Sequence, residues 1–201
     1  MWKKYLLLTA ATFVFCASAF TLRVAGEQAA LASRLIRLHV VAASDTPEDQ
    51  ARKLAVRDAL LPEIAALTAG CADASEAAAA LEEGLPALAD AARRTLGSGE
   101  GVTASLTRER FPQRDYETFS LPAGVYRALR IRLGAGQGHN WWCVAFPALC
   151  LPAAEPEADA FAETAEAAGF FPEELALMRS DAPNVTLKFR LLDWLSALFT
   201  D

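Results

Sequence analysis

Short apolar and alternating runs predict the strands of this chain. Residues 35–42 (LIRLHVVA) are rich in β-branched and other apolar side chains, whereas residues 102–110 and 125–133 alternate between apolar and polar positions. Residues 141–146 (WWCVAF) are apolar on both faces, a pattern typical of a strand that is central or covered on both sides. A last strand is predicted at residues 185–189.

Two helices are predicted between the first two strands. Thr46 has the side chain of an N-cap, Pro47 suits the first helical position, and acidic residues follow in the first turn. This helix is expected to end near Gly70, with a kink or break at Pro62. Its predicted buried residues are Leu54, Leu61, Ile64 and Leu67.

The second helix is predicted at residues 74–96, beginning at Asp73 or Ser75. Gly84 and Pro86 lie inside this range, and both residue types disfavour a helix interior. The pattern therefore fits one helix or two shorter helices equally well.

Together these elements predict a single α+β domain at residues 35–201. A mainly antiparallel sheet would be covered by the two N-terminal helices. The acidic, alanine-rich segment at residues 153–183 is expected to form short helices that cover an edge, and an apolar helix is predicted at residues 191–199.

Three glycines, Gly134, Gly136 and Gly138, lie between two strands that are consecutive in the sequence. A dinucleotide-binding loop must leave a strand and open a helix, but here a strand follows. A glycine-rich hairpin between adjacent strands is preferred, because hairpin turns need residues with positive φ. No phosphate-binding site is predicted.

The N-terminus has the pattern of a signal peptide at residues 1–19. Lys3 and Lys4 precede a short apolar run, and Ala17 and Ala19 form the small-x-small pattern of a cleavage site. An uncleaved membrane anchor is the alternative. Residues 20–34 are interpreted as a polar spacer before the domain.

Charge and composition argue against several kinds of partner. The chain has 53% hydrophobic residues, a formal net charge of −6 and no basic stretch, which is unfavourable for nucleic acid and for anionic membrane surfaces. No motif indicates a cofactor or a small-molecule ligand, and membrane contact is expected only through the signal segment. Asp45, Glu48 and Asp49, with Glu63, are the nearest approach to a metal site, but helix capping explains the first three better. No metal is predicted.

Export would leave Cys71, Cys143 and Cys150 in a compartment where disulfides persist. Cys143 and Cys150 are the natural pair, because Pro147 can turn the chain between them. Three reduced cysteines packed as small apolar groups are the alternative. A thiol–disulfide enzyme that uses Cys143 and Cys150 is kept as a second functional hypothesis.

The sequence contains no complete catalytic constellation. No G-x-S-x-G elbow surrounds a serine, and the histidines are His39, in a strand, and His139, in the glycine-rich loop. Alternation along an extended chain places His139 and Cys143 on the same face, so a nucleophile–base pair is left open there. The chain is predicted not to be an enzyme.

The paired tryptophans are the strongest indication of a recognition surface. Trp141 and Trp142 are adjacent in a predicted strand, so their side chains must lie on opposite faces of the sheet. Exposed tryptophan is a typical anchor for a protein partner, and burial of both rings beneath helices is the alternative. Asn140, Trp141 and Trp142 are the predicted contact residues. Asp45 and Arg57 are expected to support that surface through a helix start and ion pairs.

Three stretches resemble the stage II sporulation protein R family. They are IRLHVVAASDTPEDQARKLAVRDALL, LPAGVYRALRIRLGAGQGHNWWCVAFPALC and, near the end of the chain, VTLKFRLLDWLSALF. The Asn-Trp-Trp-Cys-Val core at residues 140–144, preceded by the glycines, is the most specific part. Residues 74–96 and the acidic segment carry little of the resemblance.

The resemblance implies an exported signal protein of endospore-forming bacteria. Members of this family are made in the forespore and exported into the space between the forespore and mother-cell membranes. There they activate a membrane-embedded aspartic protease of the mother cell, which processes the pro-form of the early mother-cell sigma factor. The partner implied for this chain is that protease, and the implied mechanism is activation by contact.

Overall fold

The computed structural model describes residues 2–97, 101–116, 119–147 and 178. Its elements follow in the order α1 (Trp2–Arg34), β1 (Ile36–Val41), α2 (Pro47–Thr68), α3 (Ala74–Leu96), β2 (Val102–Phe111), β3 (Arg114–Asp115), β4 (Ser120–Leu121), β5 (Gly124–Leu133) and β6 (Asn140–Phe146). The chain is an α+β protein, as predicted. The strand predicted at residues 185–189, the helix at 191–199 and nearly all of the acidic segment lie outside the described residues.

β1, β2, β5 and β6 form one sheet in the order β2-β5-β1-β6. β2 pairs with β5, and β6 pairs with β1, in the antiparallel sense, whereas β1 and β5 run parallel. The prediction of a mainly antiparallel sheet is confirmed, and each of these strands begins and ends within about one residue of its predicted bounds. β3 and β4 form a separate two-stranded sheet.

The predicted hairpin between β5 and β6 is wrong, because β1 lies between these two strands. Val41, at the end of β1, pairs with Arg132 of β5 on one side and with Asn140 of β6 on the other. A glycine-rich connection has the same local pattern whether it closes a hairpin or crosses one intervening strand. Every residue of β1 is buried, as expected for a strand with a neighbour on each edge and cover on each face.

α2 and α3 cover one face of the sheet, as predicted. Alternate residues of the strands meet the apolar sides of both helices there, because successive side chains of a strand point to opposite faces. We call this core the first cluster. Among its buried members are Leu38, Val40, Leu60, Leu81 and Leu129.

Both helices begin at side chains that the sequence marks as caps. The Thr46 hydroxyl accepts a hydrogen bond from the amide of Asp49 at 3.3 Å. The Asp73 carboxylate accepts from the amides of Ser75 and Glu76 at 2.7 and 2.9 Å. These bonds satisfy amides of the first turn that have no partner within the helix.

The predicted buried face of α2 was wrong at Leu54, which is 37% exposed. Ile64 is buried as predicted, and Leu61 and Leu67 are half-buried. The buried residues of α2 are Lys53, Val56, Leu60, Ile64 and Thr68. The helix therefore turns toward the sheet a face that includes a lysine, which a search for apolar periodicity does not select.

Neither helix is divided at its proline. α2 continues through Pro62 and α3 through Pro86. In α3 a Cβ at Gly84 would lie 2.6 Å from Cδ1 of Leu67, so the missing side chain lets α3 approach α2 closely. Packing of this kind outweighs the low helix propensity of glycine and proline, which local patterns cannot anticipate.

The opposite face of the sheet is covered at one end by the last turn of α1. Leu31 and Leu35 are fully buried there, in a core that we call the second cluster. Its members are Leu31, Leu35, Phe111, Phe119, Leu121, Tyr126, Ala128, Val144 and Met178. Residues 20–34, interpreted from the sequence as a spacer, are thus helical, and their end belongs to the folded core.

α1 is long and apolar enough to cross a membrane. The stretch Lys4–Arg34 contains a window of mean hydropathy 1.8, and none of that window is buried. A signal sequence near the N-terminus can meet the same criteria of length and composition. The helix is therefore compatible with the predicted signal segment at residues 1–19.

Candidate interaction site

The loop that joins β5 to β6, residues 134–139, crosses the carboxyl end of β1 and lies on the turn that leads into α2. The amide of Gln137 donates to the carbonyl of Ala43 at 3.2 Å, and the amide of Gly138 donates to the carbonyl of Ala42 at 3.0 Å. Carbonyl groups that leave the sheet at the end of β1 thereby gain partners. We call residues 134–139 the crossing loop.

Two glycines allow the close contact between the crossing loop and the β1–α2 turn. Gly136 has φ +63°, in the left-handed region that favours glycine. At Gly138 a Cβ would collide with the carbonyl group of Ser44, so any side chain is excluded there. The glycines that suggested a hairpin turn therefore serve a close approach of two backbone segments.

Asp45 fastens the crossing loop to the start of α2. Its Oδ1 accepts hydrogen bonds from the backbone amide and from Nδ1 of His139, both at 2.5 Å. The bond from the backbone amide is the largest cause that lowers the pKa of Asp45 from its usual 3.8, and the ring adds to it. Asp45 is therefore ionised at neutral pH, and the imidazole beside it is 79% exposed.

Lys53 holds the crossing loop from the side of α2. Its Nζ donates to the carbonyl of His139 at 3.1 Å and to Oε1 of Gln50 at 2.6 Å. Burial lowers the pKa of Lys53, and the negative charge of Asp45 opposes that shift. Gln50 in turn donates to the carbonyl of Ser44 at 2.9 Å. The loop, the turn and the first turns of α2 thus form one hydrogen-bonded unit.

Trp141 and Trp142 lie on opposite faces of the sheet, as predicted, and each carries an arginine on its ring. The guanidinium carbon of Arg57 lies 4.3 Å from the ring centroid of Trp141, and that of Arg114 lies 4.2 Å from Trp142. Both distances are within the range of cation–π attraction. Trp141 packs against the first cluster and Trp142 against the second, and both are half-buried.

Arg37 supports β6, the strand that bears both tryptophans, on the face of the sheet that carries the second cluster. The residue is fully buried, and its Nε donates to the carbonyl of Cys143 at 2.9 Å. Its Nη2 donates to the Tyr116 hydroxyl at 2.8 Å, and that hydroxyl donates to the carbonyl of Trp142 at 3.3 Å. The guanidinium also lies 4.5 Å from the ring centroid of Phe111. Burial is the main cause that lowers the pKa of Arg37 below the ordinary value of an arginine.

An open pocket of about 300 Å³ lies where the crossing loop, the start of β6 and Arg114 meet. It is lined by Asp45, Arg114, Gln137, Gly138, His139, Asn140 and Trp142. The volume is at the lower end of the range for ligand sites. Its lining combines one indole with polar groups, so it suits one or two side chains of a partner.

The predicted contact residues do not all lie on the same surface. Asn140 and Trp142 line the pocket. Trp141 lies on the helix-covered face, where its exposed part is flanked by α2. A role of these residues in contact with a partner stays a prediction.

The two predicted supporting residues act separately. Asp45 binds His139 and shapes the pocket. Arg57 lies over Trp141 and forms an ion pair with Asp58 at 2.7 Å. Each therefore contacts or adjoins a predicted contact residue, on a different side of β6.

Sequence reasoning missed Arg37, Lys53 and Arg114. Arg37 interrupts an apolar strand, and a polar residue in such a run is a signal of a buried polar contact. Lys53 precedes Val56 by one helical turn on the buried side of α2, which is also visible in the sequence. Nothing in the local pattern marks Arg114, because its place over Trp142 depends on the tertiary structure.

The cysteines are divided between two states. Cys143 forms a disulfide, whereas Cys16 and Cys71 are free, so the alternative of three reduced cysteines is wrong. Cys150 lies outside the described residues, and its pairing with Cys143 stays a prediction. A disulfide sulfur is not a thiolate nucleophile, and the ring of His139 bonds a carboxylate, so the suggested Cys–His pair is not assembled.

Acidic residues at the start of α2 serve capping and ion pairs. Glu48 pairs with Arg52 at 2.8 Å, and Asp49 accepts from the Ser44 hydroxyl at 2.5 Å. In the part of the chain that is described, no group of three or more His, Cys, Asp or Glu side chains is placed to hold a metal ion.

The described elements form an α+β domain that follows an apolar helix, and this helix is compatible with a signal sequence. The model of the stage II sporulation protein R family matches residues 32–155, and the chain belongs to this family. Stage II sporulation protein R of Bacillus subtilis (strain 168) is 36% identical over 118 residues, which are 57% of this chain and 53% of the relative. The alignment spans about half the length of that relative. No solved structure matches the chain.

The matched range contains the whole of the pocket and both helices that cover the first cluster. It includes α3, for which the resemblance seen in the sequence is weak. The C-terminal stretch VTLKFRLLDWLSALF lies outside it. Membership of the family supports a role in sporulation.

Proposed function

We propose that the chain is an exported sporulation signal protein that activates a membrane-embedded aspartic protease and has no enzymatic activity of its own. The protease belongs to the mother cell and processes the pro-form of the early mother-cell sigma factor. The chain acts in the space between the forespore and mother-cell membranes. Membership of the sporulation family and the apolar N-terminal helix support this proposal.

The observation that carries the proposal is the pair of half-buried tryptophans, each held by a stacked arginine. Trp and Arg are the side chains most enriched among the anchors of protein–protein interfaces. Arg114 holds the ring of Trp142, and Arg57 holds that of Trp141. Because these rings are already ordered, little side-chain entropy is lost when a partner covers them.

Activation by contact requires that the chain bind the active state of the protease more tightly than the inactive state, because only a difference in affinity shifts the equilibrium. A coupling free energy of about 1–3 kcal/mol corresponds to an increase of roughly 5- to 150-fold. One or two anchor residues supply that amount, since a single such side chain is typically worth about 2 kcal/mol or more.

The proposal is tested by reconstitution in a host that does not sporulate. The complete chain is produced together with a membrane protease of this kind and its pro-sigma factor, and cleavage is followed by gel mobility. A chain that lacks residues 1–19 is the control for export, and a protease without its catalytic aspartates is the control for cleavage. Cleavage only with the exported chain and the intact protease is expected. No cleavage with a protease that is competent in a sporulating host would refute the proposal.

A second candidate function is a thiol–disulfide enzyme that uses Cys143 and Cys150. One observation favours it, because the disulfide at Cys143 is the oxidised state that such an enzyme would hold. One observation opposes it, because Cys143 is only 4% exposed and thiol–disulfide exchange requires access to the sulfur. The disulfide accordingly fits a structural bridge better.

A further inference from the structure

The guanidinium of Arg114 has unused hydrogen-bonding capacity at the mouth of the pocket. One face of the group lies over the Trp142 ring at 4.2 Å, and the residue is exposed. Stacking occupies the face of a guanidinium, whereas its N–H donors point outward from the edge. Within the described residues, Arg114 forms no ion pair. Its donors are therefore fixed in direction and available to a partner.

The part of the chain that the structure describes places two arginines, Arg114 and Arg37, close to the segment of β6 that bears Trp142. Arg37 donates to the carbonyl of Cys143, and it lies close enough to Arg114 for the charge of Arg114 to add to the effect of burial in lowering the pKa of Arg37. Two described carboxylates adjoin Arg114, Asp45 in the lining of the pocket and Asp115 in the sequence, and each accepts hydrogen bonds from other residues. Asp45 accepts from His139, and Asp115 accepts from the Ser120 hydroxyl at 2.7 Å. The pocket therefore holds one cation, Arg114, and one carboxylate, Asp45, whose Oδ1 is bound by the amide and the ring of His139.

Further donors converge on the same space. The side-chain amides of Gln137 and Asn140 line the pocket, as does the exposed ring of His139. Among the described residues, neither amide has a hydrogen-bond partner. The N–H donors of Arg114, Gln137 and Asn140 therefore face the same space, and an acceptor with negative charge is a group that can bind them together.

We propose that the pocket binds the carboxylate of an aspartate or glutamate side chain on the protein partner, with Arg114 as its main ligand. The inference rests on the proposed function and adds to it the chemistry of the contact. The fork of donors on a guanidinium matches the two oxygens of a carboxylate. The methylene stem of the acidic side chain packs on the indole of Trp142, and Asn140 donates to a second lone pair of one carboxylate oxygen.

A protein carboxylate fits this pocket better than an anionic lipid. The net charge of −6 repels an anionic membrane surface as a whole, whereas one exposed arginine at the mouth of a small pocket attracts a single acidic side chain. The volume of about 300 Å³ also limits the occupant to a small group. We therefore do not assign a lipid headgroup to the pocket, and the test below distinguishes lipid binding from binding of a protein carboxylate.

The first arm of the test needs no protease. The complete chain, labelled with 15N at its tryptophan indoles and held in detergent micelles, is titrated with acetyl-Gly-Gly-Glu-Gly-Gly-amide and with the matching Gln peptide. The Trp142 signal is assigned from a Trp142→Phe variant. We expect a saturable shift of this signal at a concentration at least about 5-fold lower for the Glu peptide, the ratio for an ion pair of modest strength.

Variants of Arg114 separate charge from shape. Arg114→Gln is expected to make the two peptides equivalent, and Arg114→Lys to retain part of the difference, because lysine keeps the charge but loses the planar fork. Arg108→Gln is the matched control, since Arg108 is an exposed strand arginine outside the pocket. Equal responses of the unaltered chain to both peptides would overturn the proposal. So would a larger shift of the same signal with vesicles of anionic lipid than with the Glu peptide.

The second arm uses the reconstituted cleavage of the pro-sigma factor. Arg114→Glu is expected to reduce cleavage at least about 5-fold, and exchange of one acidic residue in the extracytoplasmic part of the protease for arginine should restore it. Failure of every single acidic exchange to restore cleavage would count against a carboxylate ligand. Cleavage of the pro-sigma factor with the unaltered chain tests the proposed function separately, because that cleavage is expected whatever group of the protease occupies the pocket.

Discussion

The carboxylate of Asp45 accepts two hydrogen bonds from His139, a residue 94 positions further along the chain. This contact joins the turn after β1 to the loop that crosses over it. Because β6 begins directly after that loop, the contact also sets where Asn140 and Trp142 lie at the pocket. The geometry of the pocket therefore depends on the carboxylate of Asp45 and on its bonds to the amide and the ring of His139.

The contact predicts a specific pH dependence. The amide of His139 stabilises the ionised form of Asp45, which lowers its pKa from 3.8. A carboxyl group with a lowered pKa stabilises the folded loop above the unfolded pKa and loses that effect as pH falls through the folded value. The amide proton signal of His139 should therefore titrate with a midpoint below 3.8. An Asp45→Asn variant should lack the transition, and a midpoint at or above the ordinary value would be evidence against the contact.

Gly138→Ala should disturb the crossing loop. Its Cβ would collide with the carbonyl group of Ser44, and backbone cannot move aside as a flexible side chain can. Forced displacement of this kind typically costs about 1–3 kcal/mol, measured as the free energy of unfolding in urea. Gly101→Ala is the matched control, because a Cβ there meets nothing within 4 Å. Equal stability of the two variants would show that the close approach does not exist.

Arg37→Met should lower the free energy of unfolding, because Arg37 holds the face of the sheet that carries the second cluster. The substitution removes the buried hydrogen bond from Nε of Arg37 to the carbonyl of Cys143 and the bond from Nη2 to the hydroxyl of Tyr116. An unsatisfied buried group costs about 1–3 kcal/mol, although relief of the buried charge offsets part of that. Arg110→Met, at an exposed strand position, should stay within about 0.5 kcal/mol of the unaltered chain. The urea midpoints of the Arg37→Met and Arg110→Met variants are compared. Equal destabilisation by the two substitutions would show that the contacts of Arg37 do not stabilise the fold.

Cys143→Ser combined with Cys150→Ser separates a structural bridge from a redox centre. In the chain-entropy model, a bridge that closes so short a loop contributes about 2.5 kcal/mol. The double variant should therefore unfold at lower urea concentration but still support cleavage of the pro-sigma factor at a temperature where it is folded. Complete loss of cleavage by a folded double variant would favour the thiol–disulfide hypothesis.

Local chemistry accounts for much of the fold. Strand bounds followed from alternation, and both helix starts followed from Thr46 and Asp73, because capping and pleating act over a few residues. The order of the strands in the sheet could not be predicted from these local patterns. The insertion of β1 between β5 and β6 is decided by burial of β1 on every side, which no glycine pattern between β5 and β6 contains.

The candidate site was predictable only in part. Asn140 and the tryptophans stand out because rare aromatic residues are adjacent in one strand. The partners that hold them come from distant segments, as Arg114 and Lys53 do, and their sequence neighbourhoods are ordinary. The opposite placement of the two rings followed from strand geometry, whereas the arginine over each ring required the tertiary structure.

The most direct test of the account is photo-crosslinking from the pocket. Asn140 is replaced by p-benzoylphenylalanine, and the complete chain is irradiated with the membrane protease in the reconstituted host. The account predicts an adduct that contains both the chain and the protease, and none when the same group replaces Arg94, an exposed residue at the far end of α3. An adduct from position 94 and not from position 140, with a protease that cleaves its substrate, would contradict the claim that this surface makes the contact.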